Sequence, residues 1–215
     1  MEAVLNNIRK CAVIVAHPDD ETLWSGGLIL MNPQIQWEII TLCRKSDADR
    51  NPKFHTALNI FNAAGAMGDA DDGPQQERLA VFDIENTIVS LLNHGRYDLI
   101  ITHNVHGEYT RHRRHEEVSE AVVNLIGNGR LITEKLFMFA YEDGGGSYCP
   151  MPMKNADVKI LLPDNIWRKK YEILNSVYGF DSNSWEAKIT PKEEAFWCFD
   201  SMYGLSGSIR ERGKR

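Results

Sequence analysis

The chain has 215 residues, of which 43% are hydrophobic, and its formal net charge at pH 7 is −6. This length suits one hydrophobic core, so we expect a single domain over residues 1–215. The negative charge argues against nucleic acid and anionic membranes as partners. No apolar stretch approaches the roughly 20 residues of a membrane span, and the first residues lack a signal-peptide pattern. We therefore expect a cytoplasmic protein whose four widely spaced cysteines are free thiols.

Predicted strands and helices alternate along the first two thirds of the chain. The hydrophobic pattern predicts strands at 11–15, 37–42, 97–102 and 135–141, and helices at 21–31, 53–64, 77–92 and 112–126. Alternating strands and helices form parallel βαβ units with right-handed crossovers. The sequence therefore predicts a Rossmann-like, three-layer α/β/α domain with a mostly parallel sheet.

The last third of the chain is less regular. A strand is predicted at 158–162, a helix at 163–177 with Pro163 in its first turn, and a short helix at 193–199. The glycine-rich segment 143–147 is predicted to be a flexible loop rather than a linker between domains, since a strand follows soon after it.

The run Ala-His-Pro-Asp-Asp-Glu at 16–21 directly follows the first predicted strand. It places one imidazole and three carboxylates at the C-terminal end of a buried strand, where ligands collect in open α/β sheets. Such groups would repel and desolvate one another unless they shared a cation, so the run predicts a metal site. The three acids alone could equally cap the following helix, and Glu21 fits that role.

A second cluster of polar residues follows the predicted strand at 97–102. Four of the seven histidines fall there within thirteen residues, at His103, His106, His112 and His115. Two donors from the first loop and one imidazole from this segment would form a site with three protein ligands. The position left open for water is typical of a catalytic zinc site. We expect His103 and His106 to be loop or supporting residues, and assign no role to Asn104.

The first run, with a later His-x-x-His after an apolar strand, resembles the LmbE-like, or PIG-L, de-N-acetylases over about residues 11–125. These zinc-dependent enzymes remove acetyl groups from N-acetylglucosamine units of lipids, pseudodisaccharides and antibiotics. The resemblance implies that His17, Asp20 and His115 bind zinc. It implies that Asp19 is the general base, and that His112 polarises the amide carbonyl or protonates the leaving amine.

The chain departs from this family between the last two histidines. The family commonly has Pro-Asp there, whereas this chain has Arg113 and Arg114. The missing Asp would ordinarily orient or tune a neighbouring imidazole. The two arginines suggest an anionic or phosphate-bearing substrate, but they could equally form a solvated helix face. Arg44, Asp47 and Arg50 follow another strand end and are candidates to line a sugar pocket.

The leading hypothesis is a zinc-dependent hydrolase that deacetylates an N-acylated amino sugar or its conjugate, a neutral or an anionic small molecule. An alternative is a nucleotide- or sugar-binding Rossmann-like module with a vestigial metal loop. The missing G-x-G-x-x-G after the first strand argues against dinucleotide binding. A metal-dependent phosphoesterase is a third possibility, but two-metal sites usually recruit more carboxylates than these two motifs supply.

Overall fold

The computed structural model describes residues 5, 7–75, 77–93, 95–109 and 112–200. None of the helices in these ranges has the length and apolar character needed to cross a membrane. In chain order the elements are β1 (Lys10–Val15), α1 (Asp20–Met31), β2 (Gln36–Cys43), α2 (Arg50–Phe61), β3 (Ala64–Ala70), α3 (Val81–Leu91), β4 (Arg96–Thr102), α4 (Arg113–Gly127), β5 (Ile132–Phe139), β6 (Tyr141–Glu142), β7 (Met151–Pro152), β8 (Val158–Leu161), α5 (Asp164–Glu172) with a π-helical extension (Ile173–Val177), α6 (Trp185–Ile189) and β9 (Glu193–Asp200).

Seven strands form one sheet in the order β3-β2-β1-β4-β5-β9-β8. The five strands from β3 to β5 are parallel, and β9 runs antiparallel to both of its neighbours. Right-handed crossovers place α1 and α2 on one face of the sheet and α3 and α4 on the other. In agreement, α1 packs against α5, and α3 packs against α4. The predicted fold class, a three-layer domain with a mostly parallel sheet, is confirmed.

The centre of the sheet lies between β1 and β4, where the strand order reverses. The chain leaves β1 towards β2 and later returns to place β4 on the other side of β1. Residues 11–15 of β1 are buried, as expected for a parallel strand covered on both faces. The hydroxyl of Thr102 donates to the Ile14 carbonyl at 2.8 Å, which joins the C-terminal ends of the two strands. Ligands of open α/β sheets bind in the crevice at such a reversal.

The predicted helix at 193–199 is wrong, because these residues form β9 between β5 and β8. Its apolar residues, 195–199, include three aromatic side chains, which pack well on a pleated sheet. A strand buried on both faces has a continuous apolar run, and in a short segment that run does not distinguish a strand from a helix.

The sequence analysis also missed β3, because its residues are mainly alanine and glycine and have little strand propensity. The predicted helix at 53–64 ends earlier, at Phe61, and Asn62 terminates it in the left-handed conformation. A Cβ atom at Gly68 would lie 2.5 Å from the Leu42 carbonyl oxygen. Glycine is therefore needed for β3 to lie this close to β2.

A buried ion pair joins three elements on one side of the sheet. Lys170 of α5 and Glu194 of β9 are fully buried, with 2.7 Å between Nζ and Oε1. The Glu194 carboxylate also accepts the backbone N–H groups of Gly27 and Leu28 in α1, each at 2.7 Å. The carboxylate thus links α1, α5 and β9.

We expect Lys170→Met to lower the free energy of unfolding by about 3–5 kcal/mol, because it leaves the Glu194 charge buried without its cation. Urea denaturation would measure the change. Lys159→Met is the control, since Lys159 is exposed and lies 4.0 Å from Glu193. The control should lose less than about 1 kcal/mol. Equal unfolding midpoints for the two variants would contradict the role assigned to the buried pair.

Candidate metal centre

Two segments of polar residues meet where β1 and β4 end. His17 follows β1, and Asp20 is the first residue of α1. His115 lies in the first turn of α4, after the loop that follows β4. Asp20 and His115 are buried, and the His17 side chain is 15% exposed. The structure therefore brings together the three residues that the sequence predicts as metal ligands.

Three donor atoms of these residues form a nearly equilateral triangle. His17 Nδ1 lies 3.1 Å from Asp20 Oδ2 and 3.3 Å from His115 Nε2, and the Asp20 oxygen lies 3.4 Å from His115 Nε2. Two ligands at 2.0–2.1 Å from a tetrahedral zinc ion are about 3.3 Å apart. The triangle therefore fits three ligands of one zinc ion and leaves the fourth ligand position for a small molecule.

The imidazoles of His17 and His115 each contact a carboxylate through the ring nitrogen that points away from the triangle. Asp72 Oδ1 lies 3.2 Å from His17 Nε2, and Glu108 Oε2 lies 2.7 Å from His115 Nδ1. An imidazole that donates its far N–H group to a carboxylate keeps the lone pair of its other nitrogen for a metal. This arrangement directs His17 Nδ1 and His115 Nε2 into the triangle.

The electrostatics of the triangle favour positive charge. Burial alone would lower the pKa of His17, but its hydrogen bonds to Asp20 and Asp72 raise it to about 9. Burial would raise the pKa of Glu108, but the neighbouring imidazoles of His103 and His115 lower it to about 2. A cation bound in the triangle would contact the Asp20 carboxylate directly, and Asp72 and Glu108 would act on it through the two imidazoles.

The sequence analysis missed both Asp72 and Glu108. Asp72 follows β3, the strand that was not predicted, so its position at the same edge of the sheet was not apparent. Glu108 lies in an irregular loop whose sequence has no periodic pattern. Recognising a glycine-rich third strand would have pointed to Asp72, because the ends of parallel strands share one edge.

Other groups of donors lie nearby. One combines His112 with His17 and His115, with donor atoms within 4.8 Å of one another. A second contains His17, Asp72 and Cys43, but burial raises the pKa of the Cys43 thiol to about 12. A protonated thiol is a poor metal ligand.

His103 forms a third group with Asp20 and His115. However, His103 Nε2 accepts the Ala16 backbone N–H at 3.0 Å, which occupies the lone pair that a metal would need. Its Nδ1 lies 3.1 Å from Glu108 Oε2. These contacts favour the expected supporting role for His103.

Asn104 and His106 shape the loop after β4. The Asn104 side chain accepts the His106 backbone N–H at 3.0 Å and donates to the Phe139 carbonyl at 3.3 Å. The Asn104 backbone N–H in turn donates to Glu108 Oε1 at 2.9 Å. The loop therefore holds Glu108 where it contacts His115.

Asp19 occupies a strained position beside the triangle. It precedes α1 with φ at +124°, a value that residues other than glycine rarely adopt. Its N–H group donates to Glu21 Oε2 at 2.9 Å, and Tyr178 donates to the other oxygen of Glu21 at 2.7 Å. Glu21, predicted as a helix cap, thus fixes the backbone of Asp19.

Burial and the Asp20 charge raise the pKa of the Asp19 carboxyl group, while the guanidinium group of Arg50, 3.1 Å away, opposes the rise.

A cavity of about 230 Å³ opens beside the triangle. Asp19 and His112 line it together with His17 and Asp20, and Arg44 and Arg50 contribute to its wall. Asp47, which the sequence also suggested for a sugar pocket, does not line this cavity.

His112 occupies the N-cap position of α4 without a side-chain capping hydrogen bond, and its ring packs against the rings of His17 and His115. Burial, then the charges of His115 and His17, lower its pKa to about 3, so its imidazole is neutral at neutral pH. The buried Nδ1 atom has no hydrogen-bond partner within the part of the chain that the structure describes. The ring can therefore act as a neutral hydrogen-bond donor in this cavity.

Arg114 has neither of the roles suggested by the sequence, because its side chain is fully buried and does not line the cavity. Its Nε donates to the Asp71 carbonyl at 2.5 Å, and its Nη1 donates to Glu117 Oε2 at 2.5 Å. Arg113 is exposed. Where the resembling family commonly has an aspartate that orients an imidazole, this chain thus has Arg114. Arg114 binds Asp71 and so holds the segment that contains Asp72.

Comparisons with known proteins agree with this architecture. No protein-family model matches the chain. A protein of Acanthamoeba polyphaga mimivirus, described as uncharacterized, is 23% identical to this chain over 75% of each sequence. The structure of N,N'-diacetylchitobiose deacetylase from Pyrococcus horikoshii superposes with a TM-score of 0.70 at 10% identity, covering 96% of this chain and 90% of the other.

Two further solved structures have the same fold. A deacetylase of the teicoplanin biosynthetic pathway superposes with a TM-score of 0.64 at 14% identity, covering 91% of this chain and all of the other. GalB, the 4-carboxy-2-hydroxymuconate hydratase of Pseudomonas putida KT2440, superposes at 0.62 with 13% identity, covering 89% and 96%. The predicted resemblance is therefore confirmed for the fold: this chain has the fold of the LmbE-like deacetylases.

Proposed function

We propose that this chain is a zinc-dependent hydrolase that removes the acetyl group from an N-acylated amino sugar or its conjugate. The observation that carries the proposal is the triangle of His17, Asp20 and His115 donor atoms next to a cavity that Asp19 and His112 also line. Three protein ligands with one open position are typical of catalytic zinc. The fold shared with two deacetylases supports the same reaction.

The chemistry divides between the metal and two side chains. Zinc, when bound, lowers the pKa of a coordinated water to about 7 and polarises a carbonyl group. Asp19 takes a proton from the attacking water and returns it to the nitrogen when the C–N bond breaks. Neutral His112 donates a hydrogen bond to the carbonyl oxygen as negative charge develops there. The products are acetate and the free amino sugar.

The hydratase with the same fold shows that the fold alone does not fix the reaction. The two arginines that line the cavity favour deacetylation of a neutral sugar over a reaction on a carboxylated substrate such as that of the hydratase. Arg44 is paired with Asp72 at 2.6 Å, and Arg50 with Asp19 at 3.1 Å. Since both guanidinium groups already contact carboxylates, the wall suits a neutral N-acetyl sugar better than a carboxylated substrate.

Release of a primary amine from N-acetyl sugars tests the proposal. The protein is stripped with a chelator, reconstituted with zinc and assayed on N-acetylglucosamine and its β-1,4-linked disaccharide. We expect amine release that disappears on chelation and returns with zinc. If the zinc-loaded protein releases no amine from either sugar but hydrolyses a phosphate ester, the phosphoesterase alternative replaces this proposal.

A further inference from the structure

The carboxylate that supports His17 lies on a segment outside the sheet. Asp72 follows the end of β3 by two residues, and β3 is the edge strand of the sheet that the structure describes. Asp72 Oδ2 pairs with Arg44 Nη2 at 2.6 Å, but the Arg44 side chain is 44% exposed. An exposed ion pair restrains its partners weakly. The contact with Arg44 alone would therefore hold Asp72 loosely beside His17.

One face of α4 binds this segment from the other side. Arg114 and Glu117 lie three positions apart and therefore share a helix face. Both side chains are buried, and Arg114 Nη1 donates to Glu117 Oε2 at 2.5 Å. Arg114 Nε donates to the Asp71 carbonyl at 2.5 Å, and Glu117 Oε1 accepts the Leu79 N–H at 3.1 Å. These two residues thus fix the main chain at two points after β3.

Arg114 holds the backbone of Asp71 more firmly than its side chain. The Asp71 carboxylate is 62% exposed and lies 3.4 Å from Arg114 Nη2. The hydrogen bond to the carbonyl is shorter, and its donor is fully buried, where hydrogen bonds are strengthened by the low local dielectric. A guanidinium group can contact this carbonyl and Glu117 together, because its donors form a fixed fork. Arg114 therefore fixes the peptide that directly precedes Asp72.

We propose that Arg114 is a positioning residue of the metal centre. By binding the main chain of Asp71 it holds Asp72 against His17 Nε2, and this contact keeps His17 Nδ1 directed at the metal. This inference rests on the proposed function, since it takes the donor triangle as the zinc site. The first turn of α4 then supports the metal directly through His115 and indirectly through Arg114.

The charge of Arg114 alone predicts the opposite effect on zinc binding. A guanidinium group near a cation repels it, so its removal would tighten zinc binding if charge were decisive. The positioning role predicts weaker binding, because His17 would lose a well-placed carboxylate partner. Loss of such a partner typically costs about 10–100-fold in metal affinity. The sign of the change therefore separates positioning from charge.

Zinc dissociation constants, measured by chelator competition, test the proposal. We expect Arg114→Met to weaken zinc binding about tenfold. Arg114→Lys should weaken it by about threefold or more, because one ammonium group can pair with Glu117 without also holding the Asp71 carbonyl. The lysine variant keeps the buried charge, so it decides the question if Arg114→Met does not fold.

Two control variants should bind zinc like the wild type. Asp71→Asn removes the exposed carboxylate and keeps the carbonyl that Arg114 binds. Arg113→Met removes the same charge from the neighbouring, exposed position of α4. A loss in Asp71→Asn as large as in Arg114→Lys would overturn the role given to the backbone contact.

A double variant tests whether Arg114 acts through Asp72. Asp72→Ala alone should weaken zinc binding by about 10–100-fold. Adding Arg114→Lys should change this affinity by less than about twofold, because no carboxylate is left to position. Losses that multiply in the double variant would overturn the proposal. A loss in Asp72→Ala as large as in His115→Ala would also overturn it, because Asp72 would then be a ligand.

The outcomes separate this inference from the proposed function. Urea denaturation of the zinc-free variants measures the structural effect of each substitution. An Arg114→Lys variant that is less stable but binds zinc as tightly as the wild type, or more tightly, would overturn the positioning role and leave the proposed function intact. A wild-type protein that binds no zinc would overturn both.

Discussion

Asp19→Asn should reduce kcat for amine release by roughly 10²–10⁴-fold while leaving one zinc ion per chain. The amide cannot accept the proton of the attacking water, so the chemical step slows. The Asp19 side chain lies outside the donor triangle and contacts Arg50 at 3.1 Å, so its replacement removes no proposed ligand. Steady-state kinetics and elemental analysis of the same preparation would measure both quantities.

Two further variants test whether Asp19 acts as a base rather than as a zinc ligand. Asp20→Asn should weaken zinc binding itself, since Asp20 Oδ2 lies 3.1 and 3.4 Å from the two histidine donors. Asp164→Asn changes an exposed carboxylate at the start of α5 and should alter neither kcat nor zinc content. Equal zinc loss in Asp19→Asn and Asp20→Asn would show that the division between base and ligand is incorrect.

His115→Ala should weaken zinc binding by more than about 100-fold, because loss of a supporting residue alone typically costs 10–100-fold. Chelator competition would give the dissociation constant, and circular dichroism would confirm that the variant is folded. His55→Ala, at an exposed histidine of α2, is the matched control and should bind zinc like the wild type.

His112→Ala distinguishes the proposed ligand set from the set in which His112 joins His17 and His115. We expect this variant to keep its zinc and to lose turnover. If it loses zinc as completely as His115→Ala, His112 is a ligand rather than a hydrogen-bond donor to substrate. Unchanged zinc affinity in His115→Ala would move the metal away from the triangle.

The proposed ligands could be found from the sequence because the two local motifs that carry the family resemblance contain them. His17 and Asp20 lie three residues apart after a clear apolar strand, and His115 follows another. Their supporting groups could not be found in this way. Asp72 depends on β3, a strand of low strand propensity whose glycines are needed for its close contact with β2. Arg114 was open to misinterpretation because its burial depends on a partner, Asp71, from a distant loop.

The strand β9 was predicted as a helix for a related reason. Parallel βαβ units repeat a local pattern, so β1, β2 and β4 were evident. In contrast, β9 inserts between β5 and β8 and is antiparallel to both, so its pairing depends on distant parts of the chain. Nothing in its short aromatic run indicates those partners.

The adjacency of β1 and β4 also couples metal binding to folding. His17 and His115 are 98 positions apart in sequence, yet their donor atoms lie 3.3 Å apart. In an unfolded chain His17 and Asp20 would remain neighbours, but His115 would meet them only by closing that long loop. Zinc would therefore bind the folded chain far more tightly than the unfolded one. By mass action, free zinc at 100 times its dissociation constant would stabilise the fold by about 2.7 kcal/mol, so heat resistance would rise with the zinc concentration.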